Sequence, residues 1–351
     1  MSKIYKFGII GAGMIADYHA KAIRDIDDAE LVGIYGRNSN KTTSLASKYG
    51  CQAYDDIDDM LSDQSVDVVT IATPSGVHLD PTLMAAKAGK HVLCEKPLEI
   101  TVERIQRMIE TCADYNVLLG GIFNRRFNPA VRALKRAIDK GRFGNLALAD
   151  AQIKWYRSQE YYDSGQWRGT WQLDGGGALM NQAIHTIDLL QYFMGGIDQV
   201  CALTNTVAHK NIEVEDNAVA ILKFNNGALG SIQASTACWS ENGHPATINI
   251  SGDQGSVFMA DDKFILWEFS ETLKEDEQVY NQMMNGNDVG LGANDPNAID
   301  HQGHIANIQD FIDSLENGRN PEVSGIEALK SVKIIRAIYE SAHNDRKWVK
   351  P

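Results

Sequence analysis

Short apolar runs alternate with amphipathic stretches over the first ~125 residues. Lys6–Ile10, Leu31–Tyr35, Val66–Ala72, His91–Cys94 and Val117–Gly120 read as strands buried on both faces. Between them, Ile15–Ile26, Lys41–Tyr49, Leu79–Ala88 and Val102–Tyr115 carry helical periodicity, with Gly89 and Asn116 placed to cap the last two at their carboxyl ends. Strand and helix in strict alternation predict βαβ units around a doubly wound parallel sheet. A further helix follows at Pro129–Lys140, and then the pattern changes. Residues 145–158, 198–208, 216–224, 228–238, 246–250, 255–260 and 263–269 read as strands joined by turns such as Asn225-Asn226-Gly227, which predicts a mainly antiparallel sheet. One helix, Ala178–Met194, interrupts them and stops at Gly195-Gly196. The polar, acidic stretch 271–299 reads as a long surface loop. Two helices, at about 300–317 and 326–343, close the chain.

Composition narrows the function classes. At 351 residues the chain has length for two domains, and 44% apolar with 23% charged residues is the balance of a globular protein with a sizeable core. A net charge of −13 without a basic block opposes nucleic acid and anionic membrane surfaces as partners. The five cysteines are scattered, and none forms Cys-x-x-Cys. A disulfide framework and a cysteine-bound metal are therefore not expected, and a reducing cytosol is. Lys3 and Lys6 before the apolar stretch to Ala16 imitate a short signal peptide, but the small-residue spacing inside that stretch has a better explanation.

That spacing is Gly11-Ala12-Gly13-Met14-Ile15-Ala16, a G-x-G-x-x-A run between the first strand and the first helix. The first glycine permits the tight turn, the second lets backbone approach a pyrophosphate, and the third small residue packs helix on strand. The chain thus predicts a nicotinamide dinucleotide, NAD(P), as cofactor. An NAD site usually offers a carboxylate at the end of the second strand, whereas Tyr35-Gly36-Arg37-Asn38-Ser39 has none. Arg37 can pair with a 2′-phosphate, which favours NADP over NAD. Two more segments fall at carboxyl ends of strands, where such sheets bind ligands: Thr73-Pro74-Ser75 with His78, and Cys94-Glu95-Lys96-Pro97. The Lys-Pro step invites a cis bond or fixed turn that aims Lys96 into the crevice.

Glu95-Lys96-Pro97, followed by Gly175-Gly-Gly-Ala-Leu-Met-Asn181-Gln-Ala-Ile-His185-Thr-Ile-Asp188, resembles the glucose–fructose oxidoreductase/inositol dehydrogenase (Gfo/Idh/MocA) family over essentially the whole chain. The resemblance implies an N-terminal Rossmann domain over 1–125. It implies a substrate-binding and oligomerisation domain over 126–351 with a large open sheet, the closing helices packing back on the first domain. It further implies catalytic Lys96 and His185 beside the reacting carbon, and Thr73, Pro74, His78, Glu95 and Lys96 along the nicotinamide. Asn124 takes another cofactor or substrate position. Many sugar and inositol dehydrogenases of the family carry aspartate where this chain has Asn181. An asparagine binds a hydroxyl but takes no proton, so the relay falls to Lys96 and His185. On an α-helix 181 and 185 share a face; a histidine satisfied by Asp188 is the plainer alternative for His185.

Trp155, Tyr156, Tyr161, Tyr162, Trp167 and Trp171, with Arg157 and Arg168, form an aromatic stretch suited to sugar faces, in which Arg168 and Trp171 are expected to contact substrate. His301 and His304 have a spacing that allows a metal, but no further ligand pair accompanies them, and no metal is expected. The expected activity is hydride transfer between NAD(P) and a secondary alcohol or ketone of a sugar, sugar derivative or cyclitol by a cytosolic homodimer or homotetramer. The alternatives are net non-redox sugar chemistry through transient oxidation by tightly bound NAD, and a non-catalytic cofactor or sugar sensor.

Overall fold

The computed structural model describes residues 3–284 and 301–351. The described chain divides into two compact units, one of residues up to Asn124 together with 301–329, the other of 125–284 together with 330–351.

The first unit is a six-stranded parallel sheet built from β1 (Tyr5–Ile10), β2 (Ala29–Tyr35), β3 (Gln52–Tyr54), β4 (Val68–Ile71), β5 (His91–Cys94) and β6 (Leu119–Gly121). Its order, β3-β2-β1-β4-β5-β6, is that of a Rossmann sheet, with the switch point between β1 and β4. The helices Met14–Arg24, Ser39–Tyr49, Leu79–Lys87 and Val102–Asp114 lie where periodicity predicted them, within two residues at each end. Gly89 and Asn116 take left-handed backbone just beyond the C-caps of the last two. Strand β3 and the helix Ile57–Ser62 were not predicted, being too short to show a period. Ile308, Phe311 and Ile312 of the helix Gln302–Asn317 enter the same core as Phe7, Ile9, Ala16, Ala20 and Ile23. Phe311 lies where any side chain on Gly120 would sit, 2.8 Å from an ideal Cβ.

The second unit is a seven-stranded sheet of β7 (Leu146–Lys154), β8 (Ile197–Asn205), β9 (Asn217–Phe224), β10 (Leu229–Ser235), β11 (Thr247–Gly252), β12 (Gly255–Ala260) and β13 (Lys263–Phe269). Its order is β13-β12-β11-β7-β10-β9-β8, and every pairing is antiparallel except β7 with β10. One face buries Ala149, Ala151, Ile153, Leu222, Ile232 and Ile248. The other leaves Leu148, Leu229, Val219, Ile221 and Leu203 exposed, aligned across four neighbouring strands by the pairs Leu148–Leu229 and Val219–Leu203.

Two expectations need correction here. The stretch 271–299 is not all loop, because Asp276–Gln282 is helical; Asp276 accepts from Arg142, Trp267 Nε1 and Leu273 N, contacts that periodicity does not show. Of that stretch, 285–299 lies outside the described residues. The helix predicted over Ala178–Met194 is likewise not one regular α-helix. Ala178–Ala183 is π-helical, and α-helix runs only from Ile184 to Met194, where Gly195 at φ +79° ends it. At its start Glu215 takes three amides, Gly177 and Leu179 on its carboxylate (3.0 and 2.8 Å) and Ala178 on its backbone carbonyl (3.1 Å).

Candidate functional site

In the first unit, Gly11 leaves β1 at φ +126°, and an ideal Cβ there would lie 2.5 Å from Ala72 O, so only glycine makes this turn. Gly13 is the N-cap of Met14–Arg24, no side chain caps the helix start, and a Cβ on Gly13 would meet nothing within 4 Å. Ala12 packs against Gly36, Met14 is exposed, Ile15 half-buried and Ala16 fully buried. A helix start with uncapped amides and open space at its glycine fits a dinucleotide pyrophosphate. Arg37 is exposed at the end of β2, and Asn38 beside it caps the next helix by accepting from Lys41 N at 3.0 Å.

At the ends of β4 and β5, buried His78 joins two loops. Its Nε2 lies 2.9 Å from Thr73 O and its Nδ1 3.0 Å from Pro97 O. The Oγ1 of Thr73 is buried without a hydrogen bond among the described residues, a polar atom placed as a ligand contact would need it. Pro74 is the N-cap of the short turn that follows. Lys96–Pro97 is cis, as the sequence invited, and Lys96 is half-buried. Glu95 is buried and accepts three bonds, from His19 Nε2 (3.0 Å), His304 Nε2 (3.3 Å) and the backbone N–H of Lys96 (3.0 Å). Burial would push its carboxyl up, but the hydrogen bonds from the two imidazoles hold it well below the usual carboxylate range. Thr70 Oγ1 meets His19 Nδ1 at 3.0 Å, and Asn124 Nδ2 meets His304 Nδ1 at 3.5 Å.

This arrangement gives His304 partners that the sequence did not predict. His19, Glu95 and His304 present atoms within 4.8 Å of one another, a set able to hold a metal. An ionised Glu95 can accept from both Nε2 atoms when these carry the hydrogen, with Nδ1 of His19 facing the Thr70 hydroxyl and Nδ1 of His304 the Asn124 amide. His301 lies apart from it, against Asp25 Oδ2 at 2.7 Å.

In the second unit, Asn181 lies in the π segment and His185 in the first turn of α-helix, both half-buried. Asp188 is paired through both oxygens with Arg126, at 2.7 Å each. The aromatic stretch divides. Arg168 lies over Tyr161 and Trp167 and donates to Ser164, whereas Trp171 packs edge-on against Tyr339, 5.1 Å away. Tyr156, Arg157 and Tyr161 of the stretch line an open cavity of about 310 Å³ together with Ser158, Trp239, Ser240 and Glu241, the last four not marked by the sequence. Asp174, Gln182 and Glu215 around Asn181 also escaped notice; a lone carboxylate directly before a glycine run was the only signal.

Comparison with known proteins now decides the family. Residues 5–122 match the model "Oxidoreductase family, NAD-binding Rossmann fold", and 131–258 match "GFO/IDH/MocA C-terminal domain". The chain is 30% identical to the myo-inositol 2-dehydrogenase of Thermotoga maritima over 258 residues, 72% of this chain and 74% of that one. It belongs to the Gfo/Idh/MocA oxidoreductase family. This family member is an enzyme of the dehydrogenase and reductase class with an NAD-binding domain. Among solved structures it is similar to the WlbA dehydrogenase from Bordetella pertussis in complex with NADH and UDP-GlcNAcA, with a TM-score of 0.90 and 33% identity over 100% of this chain and 99% of that one. A levoglucosan dehydrogenase in complex with NADH and levoglucosan gives a TM-score of 0.85 at 25% identity, over 99% of each chain. No described helix is long and apolar enough to cross a membrane.

Burial pushes the carboxyl of Glu215 up from 4.5 to about 7, against the hydrogen bonds of Leu179, Tyr339 and Gly177. Between those values the folded chain holds a proton that the unfolded chain releases, so stability falls as pH rises through that window, by up to roughly 3 kcal/mol. Glu215→Gln is expected to remove this slope. Urea unfolding across the window measures it, and a slope equal to that of the parent would refute the assignment.

Proposed function

We propose that the enzyme moves hydride between NAD(P) and a secondary alcohol or ketone carbon of a sugar, sugar derivative or cyclitol. The observation that carries this reading is one chain holding both the open glycine turn and, at half-buried positions, Lys96 and His185. Gly11, Ala12, Gly13, Met14 and Ile15 would hold the pyrophosphate, and Thr73, Pro74, His78, Glu95 and Asn124 the nicotinamide side. When bound, the nicotinamide supplies the hydride acceptor or donor. Lys96 and His185 take or return the proton of the reacting hydroxyl, and Asn181, Arg168 and Trp171 orient the sugar. UDP-linked uronic acids belong first in the substrate screen, with inositols and free aldoses beside them, because the solved relative with a TM-score of 0.90 holds UDP-GlcNAcA. Five free cysteines suit a reducing cytosol.

Three experiments test the parts of this reading. Lys96→Ala and His185→Ala are each expected to lower kcat by roughly 10²–10⁴ with cofactor binding kept, and together by less than the product, because both act on one proton. Full turnover by Lys96→Ala on the true substrate would sink the catalytic assignment.

For the cofactor we propose that Arg37 reads a 2′-phosphate and favours NADP. Arg37→Ala should then weaken NADPH by about tenfold to a hundredfold and NADH little, as tryptophan fluorescence titrations would show. Equal losses for the two cofactors would remove the preference.

Association through the exposed apolar face of the second sheet is the third part. Ile221→Asp should lower the mass measured by light scattering to that of one chain; a parent already monomeric would end this proposal.

A further inference from the structure

The amide of Asn181 is held from both sides. Its Nδ2 donates to Asp174 Oδ1 at 2.7 Å, and its Oδ1 accepts from Gln182 Nε2 at 3.2 Å. Gln182 is oriented in turn, with Oε1 accepting from Arg157 Nη2 at 2.8 Å and Nε2 also donating to Tyr161 Oη at 2.9 Å. Asp174 is 1% exposed, and its second oxygen accepts from Gly169 N at 2.9 Å. A guanidinium only donates and a carboxylate only accepts, so a chain of amides between Arg157 and Asp174 has one consistent direction.

We propose that Asp174 is a positioning residue that requires an amide at 181. The negative charge of this region is thereby set one hydrogen bond behind Asn181, which serves as a hydroxyl-recognising group. The proposal rests on the reading of Asn181 and His185 as the substrate side of the active site. An aspartate at 181 would set two carboxylates at the separation now spanned by an N–H bond, and such a pair keeps one proton until the pH is well above the ordinary carboxylate range. Exchanging the two side chains, Asp174→Asn with Asn181→Asp, keeps a partner for the Gly169 and Gln182 donors and for the bond between 174 and 181. The amide then at 174 would accept from Gly169 N and donate to the carboxylate then at 181, which also accepts from Gln182.

Other titratable groups face this pair. Tyr162 and Tyr339 both sense the charge of Asp174, and burial holds their phenols above the ordinary range. Glu215, titrating near 7, is bonded by Tyr339 Oη at 3.0 Å, and Arg157 is the cation at the far end. The parent protein carries all of these, so each variant is read against it.

The test uses the full chain with Asn181→Asp, Asp174→Asn and the double exchange, read by thermal unfolding without cofactor and by kcat and KM. Between about pH 5 and about pH 9, Asn181→Asp should follow the parent at the acid end, where a carboxylic acid takes the place of the amide donor, and fall below it as pH rises. Its kcat/KM should drop at the alkaline end by about tenfold or more, and the double exchange should recover most of both losses. An Asn181→Asp protein that unfolds with the parent's pH dependence overturns the pairing. One that unfolds as expected yet keeps full kcat/KM at every pH overturns the positioning role. A parent that turns over no sugar or cyclitol overturns the dehydrogenase reading and the positioning role with it, while the unfolding profiles still decide the pairing.

Discussion

A buried ion pair anchors the helix Ile184–Met194 of the second unit. Arg126 and Asp188, each 1% exposed, meet through two bonds of 2.7 Å, and Tyr192 lies 4.6 Å from the guanidinium. Removing either partner would leave a lone charge out of water, a cost of about 3–5 kcal/mol. The helix that carries Asp188 therefore has one permitted rotation about its axis, and residues upstream on it inherit that rotation. In the first unit a buried carboxylate acts in a comparable way. Glu95 accepts from two imidazoles and from the backbone of Lys96, so the peptide that presents the lysine is anchored by a charge that stays ionised. In each unit a buried carboxylate, Glu95 or Asp174, sits just behind a half-buried polar residue, Lys96 or Asn181, rather than forming the surface itself.

Much of this architecture was legible in the sequence, and the parts that were not share a cause. Parallel strands buried on both faces give uninterrupted apolar runs, so β5 was placed without error and β1 and β2 nearly so. The glycine turn was legible because its requirements are local, namely a strained backbone angle and room beside a helix start. Strand β3 and the helix Ile57–Ser62 are too short to show a period. The helix Asp276–Gln282 is held by Arg142 and Trp267, which lie elsewhere in the chain. Six residues of π-helix, four of them buried, are too few for an apolar pattern to tell them from α-helix.

The polar partners of the site residues were hidden for the same reason. Asp174 is seven residues from Asn181, Glu95 is 76 from His19 and 209 from His304, and Glu215 is 124 from Tyr339. Sequence spacing brings residues together only where one element carries both. The aromatic stretch shows the converse, since its neighbours in sequence separate in space, Arg168 toward Tyr161 and Trp171 toward Tyr339.

The π-wound segment has a consequence for how this helix tolerates change. A π turn accommodates one residue more than the α turn it replaces, and one residue on a helix is about 100° of rotation. Asp188 must face Arg126 below the segment, and Asn181 must face Asp174 within it. A uniform α-helix would keep one of these engagements and turn the other aside. The added residue works as a phase adjustment along a rigid rod, letting two independently fixed ends agree. Loss of one residue between 178 and 183 would therefore leave the helix intact and its core face filled, yet rotate one end of the site out of register with the other.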